Sequence, residues 1–364
     1  MITFSNKIVQ NDIKDIVSRN IEWDKLRNHT VLITGANGML ATYMVYTLMY
    51  LNKELNYNTK IVALVRNENK ARSKFEGCLD SDLFTLLVQD VCFPIDIQAD
   101  IDYIIHAAGN ASPKFIVSDP VGIIKANSIG TMNVLELAKT KNVKNVLYTS
   151  TREVYGKMPE GTTEIHESDC GAMNCKELRA CYPESKRISE TMLESYYFQY
   201  KVPFTTVRIA HSYGPGMEIN QDGRVMSDFI SDIVNNKNIT LKSDGSAVRA
   251  FCYINDAIAG IFMVLLQGEI GEVYNIANES EPIMIRDVAK ELTGLFPERG
   301  VRVIFDILKE QSLGYSKMGR VKLDTSKLEN LGWSCNIKLK DGLYKTVRSF
   351  ELSKIKIEES IRNV

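Results

Sequence analysis

Short runs of consecutive apolar residues alternate along this chain with longer segments whose apolar positions recur at helical spacing. TVLITG (30–35), KIVALVRN (60–67), FTLLVQDV (84–91), ADIDYIIHAAG (99–109), NVLYTST (145–151) and PFTTVRIA (203–210) read as strands, the shortest of them apolar enough to be buried on both faces. Met39–Lys53, IGTMNVLELAKTKN (129–142) and the segment around Tyr182 read as helices. Strands that alternate with helices of this length predict an α/β fold with a doubly wound parallel sheet. After about Ala210 the rhythm changes. YGPGM and DGRVMSDFI mix turns with short helices, GEVYNIAN (271–278) reads as a strand and DVAKELTGLF (287–296) as a helix. The pattern divides the chain into a helical extension over 1–28 and a main domain over 29–208, with a return around 247–275. A smaller mixed α/β lobe takes 209–246 and 276–348, and a charged, surface-helical tail takes 349–364.

Composition narrows the classes. The chain has 364 residues, 45% of them hydrophobic and 24% charged, as in a globular protein with a substantial core. A net charge of −1 gives no field suited to nucleic acid or a membrane surface. The longest apolar run, MLATYMVYTLMYL (39–51), falls short of the roughly 20 residues that cross a bilayer. The N-terminal MITFSNKIVQND lacks the apolar core of a signal peptide. The seven cysteines are scattered, and Cys170, Cys175 and Cys181 lack the spacing of a zinc site. No metal is expected, and reduced thiols in a cytoplasmic protein are.

TGANGMLA places Gly35, Gly38 and Ala41 at G-x-x-G-x-x-A spacing, directly after a strand and opening a helix. Glycine permits the tight turn and close approach of a pyrophosphate, and the helix N-terminus supplies free N–H groups, so Gly35, Asn37, Gly38 and Met39 are expected to hold a dinucleotide in a Rossmann fold. At the end of the second strand an acid reads the adenosine ribose of NAD, and an arginine suits the 2′-phosphate of NADP. Here Arg66 stands there. It either reads the cofactor or is solvated, so NAD is expected with NADP as the alternative. Asp90 and Val91 end the third strand, where an adenine edge fits. Ala107, Ala108 and Gly109 are small where a cofactor passes close to the backbone. His106 reads as a strand-end histidine.

In ACYPESKRISE, Tyr182 and Lys186 are four residues apart and share a helix face, where an ammonium lowers the phenol's pKa. Pro183 suits a first helical turn. The strand NVLYTST ends in Ser150 and Thr151, whose hydroxyls are suited to holding a substrate hydroxyl beside Tyr182.

Together these pieces resemble the extended short-chain dehydrogenase/reductase family, in its branch acting on nucleotide sugars. NSIGTMNVLELAK, RACYPESKR, RIAHSYGPGM, DGRVMSDFI and VRAFCYINDA look closest to the UDP-glucuronate decarboxylases. The resemblance runs from about His29 to Leu343. It implies Thr151, Glu153, Tyr182 and Lys186 as catalytic residues, with Tyr182 and Lys186 also touching the cofactor. It makes Asn127 the structural asparagine beside the cofactor, and it assigns Ser112, Arg152, His211, Arg224 and Arg249 to the substrate. The family's dehydratases usually read T-D-E, and its decarboxylases T-S-E, where this chain has Thr151, Arg152 and Glu153. The missing aspartate argues against 4,6-dehydration, which needs an acid for the leaving hydroxyl. Arg152 either pairs with a sugar carboxylate or turns out to solvent. His211 and Gly216 replace the family's usual asparagine and, in decarboxylases, arginine. The implied reaction is oxidation at C4 of a UDP-sugar acid, then loss of carbon dioxide. The alternatives are 4-epimerisation, 4,6-dehydration, 4-ketoreduction or a non-catalytic nucleotide-binding scaffold. A homodimer through the Tyr182 helix and the helix before it is also implied.

Overall fold

A computed structural model describes residues 2–219, 222–307 and 321–362, with side chains described through residue 353. Part of the expected substrate lobe, 308–320, and the side chains of the expected tail from residue 354 onward lie outside the described residues.

Seven strands form one parallel sheet: β1 (Thr30–Thr34), β2 (Lys60–Val65), β3 (Phe84–Val88), β4 (Tyr103–His106), β5 (Asn145–Thr151), β6 (Phe204–Ile209) and β7 (Val273–Ile276). Their order is β7-β6-β5-β4-β1-β2-β3, and every pairing is parallel. Each expected strand is present, and GEVYNIAN returns to this sheet as β7 beside β6. Every residue of β1 and of β4 is buried, because helices cover both faces. Strand order reverses between β1 and β4, so the carboxyl ends of those two strands open the crevice where ligands of such sheets sit.

Helix Met39–Leu55 fills one side with Tyr43, Met44, Val45 and Leu48. On the other side, helices Pro120–Lys141 and Cys181–Tyr200 pack against each other. The first of these starts well before the stretch that reads as helix in the sequence. Asp119 accepts the Gly122 N–H at 3.0 Å, and Pro120 occupies the first helical position, where its missing N–H costs nothing. The segment Gly223–Leu241 contributes helix Val225–Val234 and strand Ile239–Leu241, which pairs with Val303–Phe305. Among the described residues no helix is long and apolar enough to cross a membrane.

The N-terminal helix Lys7–Ser18 lies against Met39–Leu55 and against the almost wholly buried helix Ile254–Gln267. Its Val9, Ile13 and Ile16 are inaccessible to solvent. At its centre the buried Asp12 carboxylate accepts hydrogen bonds from Tyr253 Oη (2.7 Å), Tyr43 Oη (3.2 Å) and Lys345 Nζ (3.0 Å). Burial raises the Asp12 pKa, and those three donors oppose the rise. Arg19, at the end of the same helix, binds Asp256 and Asn255 at 2.6 Å each. The Asp256 carboxylate also accepts the backbone N–H groups of Asn336 and Ile337. The first and last segments are thus joined beneath residues 252–256.

Removing the carboxylate leaves two buried tyrosine hydroxyls and the half-buried Lys345 ammonium without their acceptor. Asp12→Ala is expected to cost about 3–5 kcal/mol in urea-induced unfolding, as breaking a buried ion pair does.

Candidate active site

The glycine turn is fixed by a close approach of backbones. Gly35 has φ +63°, and a Cβ there would lie 2.8 Å from Ala108 Cα and 2.9 Å from Ala107 O. No other residue fits without moving β4 away from β1. Gly38 caps helix Met39–Leu55 with no side-chain cap bond, so the first helical amides are open to an anion. Thr42 Oγ1 donates to Ala36 O (3.1 Å), and the buried Lys74 Nζ donates to Asn37 O (2.9 Å). Ala41 is buried and Met39 partly so.

Gly109 repeats the constraint after β4. A Cβ there would lie 2.5 Å from Asn127 Oδ1 and 3.5 Å from Lys186 Nζ. Asn127 Nδ2 donates to Ser185 Oγ at 2.8 Å, while its buried Oδ1 has no partner. Two backbone cradles and a buried acceptor left open between them fit a dinucleotide laid across the ends of β1 and β4. His106 lies beneath, bonded to Thr34 Oγ1 (2.7 Å) and Thr131 Oγ1 (3.1 Å). Burial and the nearby Lys186 push its pKa down to about 3, so it is a neutral structural group. Asp90 accepts the Cys92 N–H (2.9 Å) and faces Arg66 at 3.6 Å. Its pKa is lowered: burial would raise it, but the bonds from Cys92 and the charge of Arg66 prevail. Val91 packs against Gly130, where a Cβ would meet it at 2.8 Å.

Thr151 is the last residue of β5, and its Oγ1 accepts the Glu153 N–H at 3.3 Å, with the Tyr182 hydroxyl near enough to feel it. Tyr182 and Pro183 lie in the first turn of Cys181–Tyr200. Lys186, one turn on, donates to Thr149 O at 2.8 Å and stands 4.6 Å from the Tyr148 ring centroid. The expectation that Lys186 lowers the pKa of Tyr182 is not met in this geometry. Burial raises the phenol's pKa well above its usual value and the Glu153 carboxylate adds to the rise, while Thr151, Arg179 and Arg224 oppose it. Lys186 itself is pushed down to about 7 by burial, against the pull of Glu190.

On the substrate side Arg152 turns inward. It is 9% exposed, and its Nη1 lies 3.4 Å from His211 Nε2. His211 adopts the left-handed φ of +31°, uncommon for a non-glycine residue, and its ring lies 5.9 Å from that of Phe251. His211 is exposed to the cleft; desolvation there, then the charges of Arg152 and Arg249, lower its pKa. The Arg249 guanidinium donates to Val248 O (2.8 Å), and burial lowers its pKa. Glu153 accepts a 2.5 Å bond from Arg179 Nη2. Ser112 Oγ donates to Asp222 O (2.8 Å), and the Asp222 carboxylate takes Ser227 Oγ (3.2 Å) and Arg224 Nε. Ser112 thereby ties the DGRV loop to the segment after β4, while Arg224 braces the loop internally.

Arg179 escaped the sequence reading. Its signal was its place three residues before Tyr182, on the same short approach to the helix. Glu190 escaped too. It accepts from Ser150 Oγ (2.5 Å) and Arg208 Nη2 (2.7 Å), and its spacing of four from Lys186 was the available clue.

The model of the NAD dependent epimerase/dehydratase family matches residues 31–277. The chain belongs to that family. Among curated relatives of this family member, UDP-glucuronic acid decarboxylase 6 of Arabidopsis thaliana is 32% identical over 330 residues, covering 89% of this chain and 90% of the relative. UDP-glucose 4-epimerase of Thermotoga maritima, solved with UDP-glucose, superposes with TM-score 0.75 at 21% identity, covering 89% of this chain and 99% of that one. UDP-glucuronic acid 4-epimerase of Bacillus cereus, solved with NAD, gives 0.72 at 21% identity over 88% and 96% of the two chains. At these identities the two structures establish the fold of the family, a seven-stranded doubly wound sheet.

The Lys186 depression has a measurable consequence for this family member. Between about pH 7 and 10.5 the unfolded chain holds a proton on this lysine that the folded chain has released, so stability rises with pH across that window. Lys186→Met removes the buried charge. The stability of the variant relative to wild type is expected to fall by on the order of 3 kcal/mol between pH 6 and pH 9.5 in denaturation of cofactor-free protein.

Proposed function

We propose that this protein oxidises C4 of a UDP-linked uronic acid and decarboxylates it. The carrying observation is the inward Arg152, facing His211 within the field of Arg249, beside the Thr151–Tyr182 hydroxyl pair. That cationic pocket suits a sugar carboxylate, which arginine can bind through two parallel hydrogen bonds. The matched decarboxylase of Arabidopsis supports the same substrate class.

The glycine turn, Ala107–Gly109, Asn127 and Lys186 would hold NAD, which would supply the hydride-accepting and hydride-donating chemistry at C4. The chain's own groups handle protons and charge. Tyr182 takes the C4 hydroxyl proton, and Thr151 hydrogen-bonds the same oxygen. Burial holds the proton on the phenol of the free enzyme, so Tyr182 must first lose that proton to solvent before it can accept the one from the C4 hydroxyl. The C4 ketone makes the C6 carboxylate a β-keto acid. The C5–C6 bond then breaks, carbon dioxide leaves, and the electron pair passes to the C4 oxygen, where the Tyr182 and Thr151 hydroxyls stabilise it. Glu153, oriented by Arg179, positions a solvent water whose proton is delivered to C5. Where dehydratases carry an acid for the leaving hydroxyl, the inward Arg152 has none to give.

The reading also includes a cytosolic homodimer. Seven free cysteines support a reducing compartment. Val121 (59% exposed) and Met132 (46%) on one helix, and Ile188 (44%) on its neighbour, support a second copy against this apolar face.

Incubation with UDP-glucuronate is expected to release carbon dioxide and yield a five-carbon sugar nucleotide. Retention of all six carbons with inverted C4 would assign a uronate 4-epimerase instead. Tyr182→Phe should lower kcat by about 10²- to 10⁴-fold with dinucleotide binding retained. In sedimentation, Met132→Glu combined with Ile188→Glu should convert a dimer to a monomer with Tyr182 chemistry still measurable.

A further inference from the structure

Resting on the dinucleotide reading above, we propose that the adenosine corner of the cofactor site takes a 2′-phosphate, so that the chain binds NADP(H) in addition to NAD(H). The corner is defined by the sheet. Thr34 pairs with Leu64, and the Ala36 N–H donates to Leu64 O at 3.1 Å, which sets the end of β2 beside the glycine turn. A group just past that strand faces the adenosine ribose. A carboxylate there accepts from the free 2′-hydroxyl and repels a 2′-phosphate, and a guanidinium does the reverse.

Arg66 is that group. Its side chain is 68% exposed, and with Asn67, Glu68 and Asn69 it lines an open cleft of about 590 Å³. Its acidic neighbour, Asp90, stands at 3.6 Å, well beyond the 2.7–2.9 Å of a charge-assisted bond, so the guanidinium donors can turn to a phosphate. The carboxylate that lines the cleft, Glu68, is already held by Arg72 Nε at 2.7 Å.

A second cation backs the corner from inside the protein. Lys74 is 5% exposed, and its ammonium donates to the carbonyl of Asn37, the turn residue between the two glycines. Among the described residues no carboxylate lies in ion-pair range of it. A buried ammonium is costly unless compensated, and an added dianion on the outer side of the turn offsets that cost. Lys70, on the same short helix, meets its acid, Glu218, only at 3.9 Å. Arg66 therefore borders this corner and Lys74 backs the turn beside it, and among the described residues neither is closely paired to a carboxylate.

The test is calorimetric titration of cofactor-stripped protein, without sugar, using NAD+, NADP+, 5′-ADP and 2′,5′-ADP. NADP+ is expected to bind within about tenfold of NAD+ or tighter, and 2′,5′-ADP to bind more tightly than 5′-ADP. Arg66→Asp, at an exposed position that leaves folding intact, should shift the NADP+/NAD+ ratio toward NAD+ by at least about tenfold, the worth of one charge-assisted bond. A wild-type preference for NAD+ above a hundredfold, or a ratio unmoved by Arg66→Asp, overturns the proposal. Failure of both dinucleotides to bind overturns it together with the dinucleotide reading. Failure to decarboxylate UDP-glucuronate, with NADP+ binding as expected, overturns the proposed reaction and supports this assignment.

Discussion

Two backbones that meet with no side chain between them set the geometry of this site. Gly35, at the end of β1, comes so near Ala107 and Ala108, at the end of β4, that a single methyl group would force the strands apart. β1 and β4 are the strands between which the sheet reverses its order, so the contact sits at the floor of the crevice. Gly109, next along, brings the chain tightly against the Asn127 side chain, with Lys186 in ordinary contact beside it. The floor of the cofactor site is therefore main chain. Everything chemical must come from its rim: Thr151 at the end of β5, and Tyr182 and Lys186 from the helix beyond.

That rim is electrostatically costly. Lys186 is buried against a carbonyl and an aromatic face, and among the described residues no carboxylate is in ion-pair contact with it. Its depression from 10.5 to about 7 corresponds to on the order of 5 kcal/mol disfavouring the charged form. Tyr182 is raised for the same reason, with the Glu153 carboxylate adding to burial. Both groups are thus held away from their charged states in the free protein, and the proposed reaction requires a bound cofactor or substrate to supply the compensation. Arg152 and Arg249 continue the pattern by holding His211 neutral. An anion placed among the three relieves all of them together, which ties recognition of a carboxylate to the poise of the catalytic groups.

Much of this was legible in the sequence because it is local. The seven strands announced themselves as apolar runs, and the glycine turn by its place between a strand and a helix. Tyr182 and Lys186 were legible from their spacing on one helix. The inward orientation of Arg152 was not, since a single arginine after a strand has no period to read. Arg179 stayed hidden because it meets Glu153 across 26 residues of sequence. Lys74 looked like one more cation on a charged helix, and only the fold reveals that its ammonium ends beneath Asn37. The start of helix Pro120–Lys141 was obscured because Pro120, Val121 and Gly122 resemble a turn until Asp119 is seen to cap them.

The first residues also proved to be more than an appendage. Asp12 binds Tyr253, and Arg19 binds Asn255 and Asp256, so the N-terminal helix grips the segment that follows Arg249 and Phe251. Strand Cys252–Tyr253 pairs with Ser212–Tyr213, which follows His211 directly. The two substrate-side residues thus hang from one small ladder, and that ladder is anchored from behind by Asp12 and, through Lys345, by the C-terminal helix. His211 holds a strained φ, which persists only where surrounding structure over-determines it. The buried carboxylate of Asp12 supplies part of that determination. The helix before the glycine turn therefore bears on the placement of His211 and Arg249, the proposed substrate side, as well as on stability.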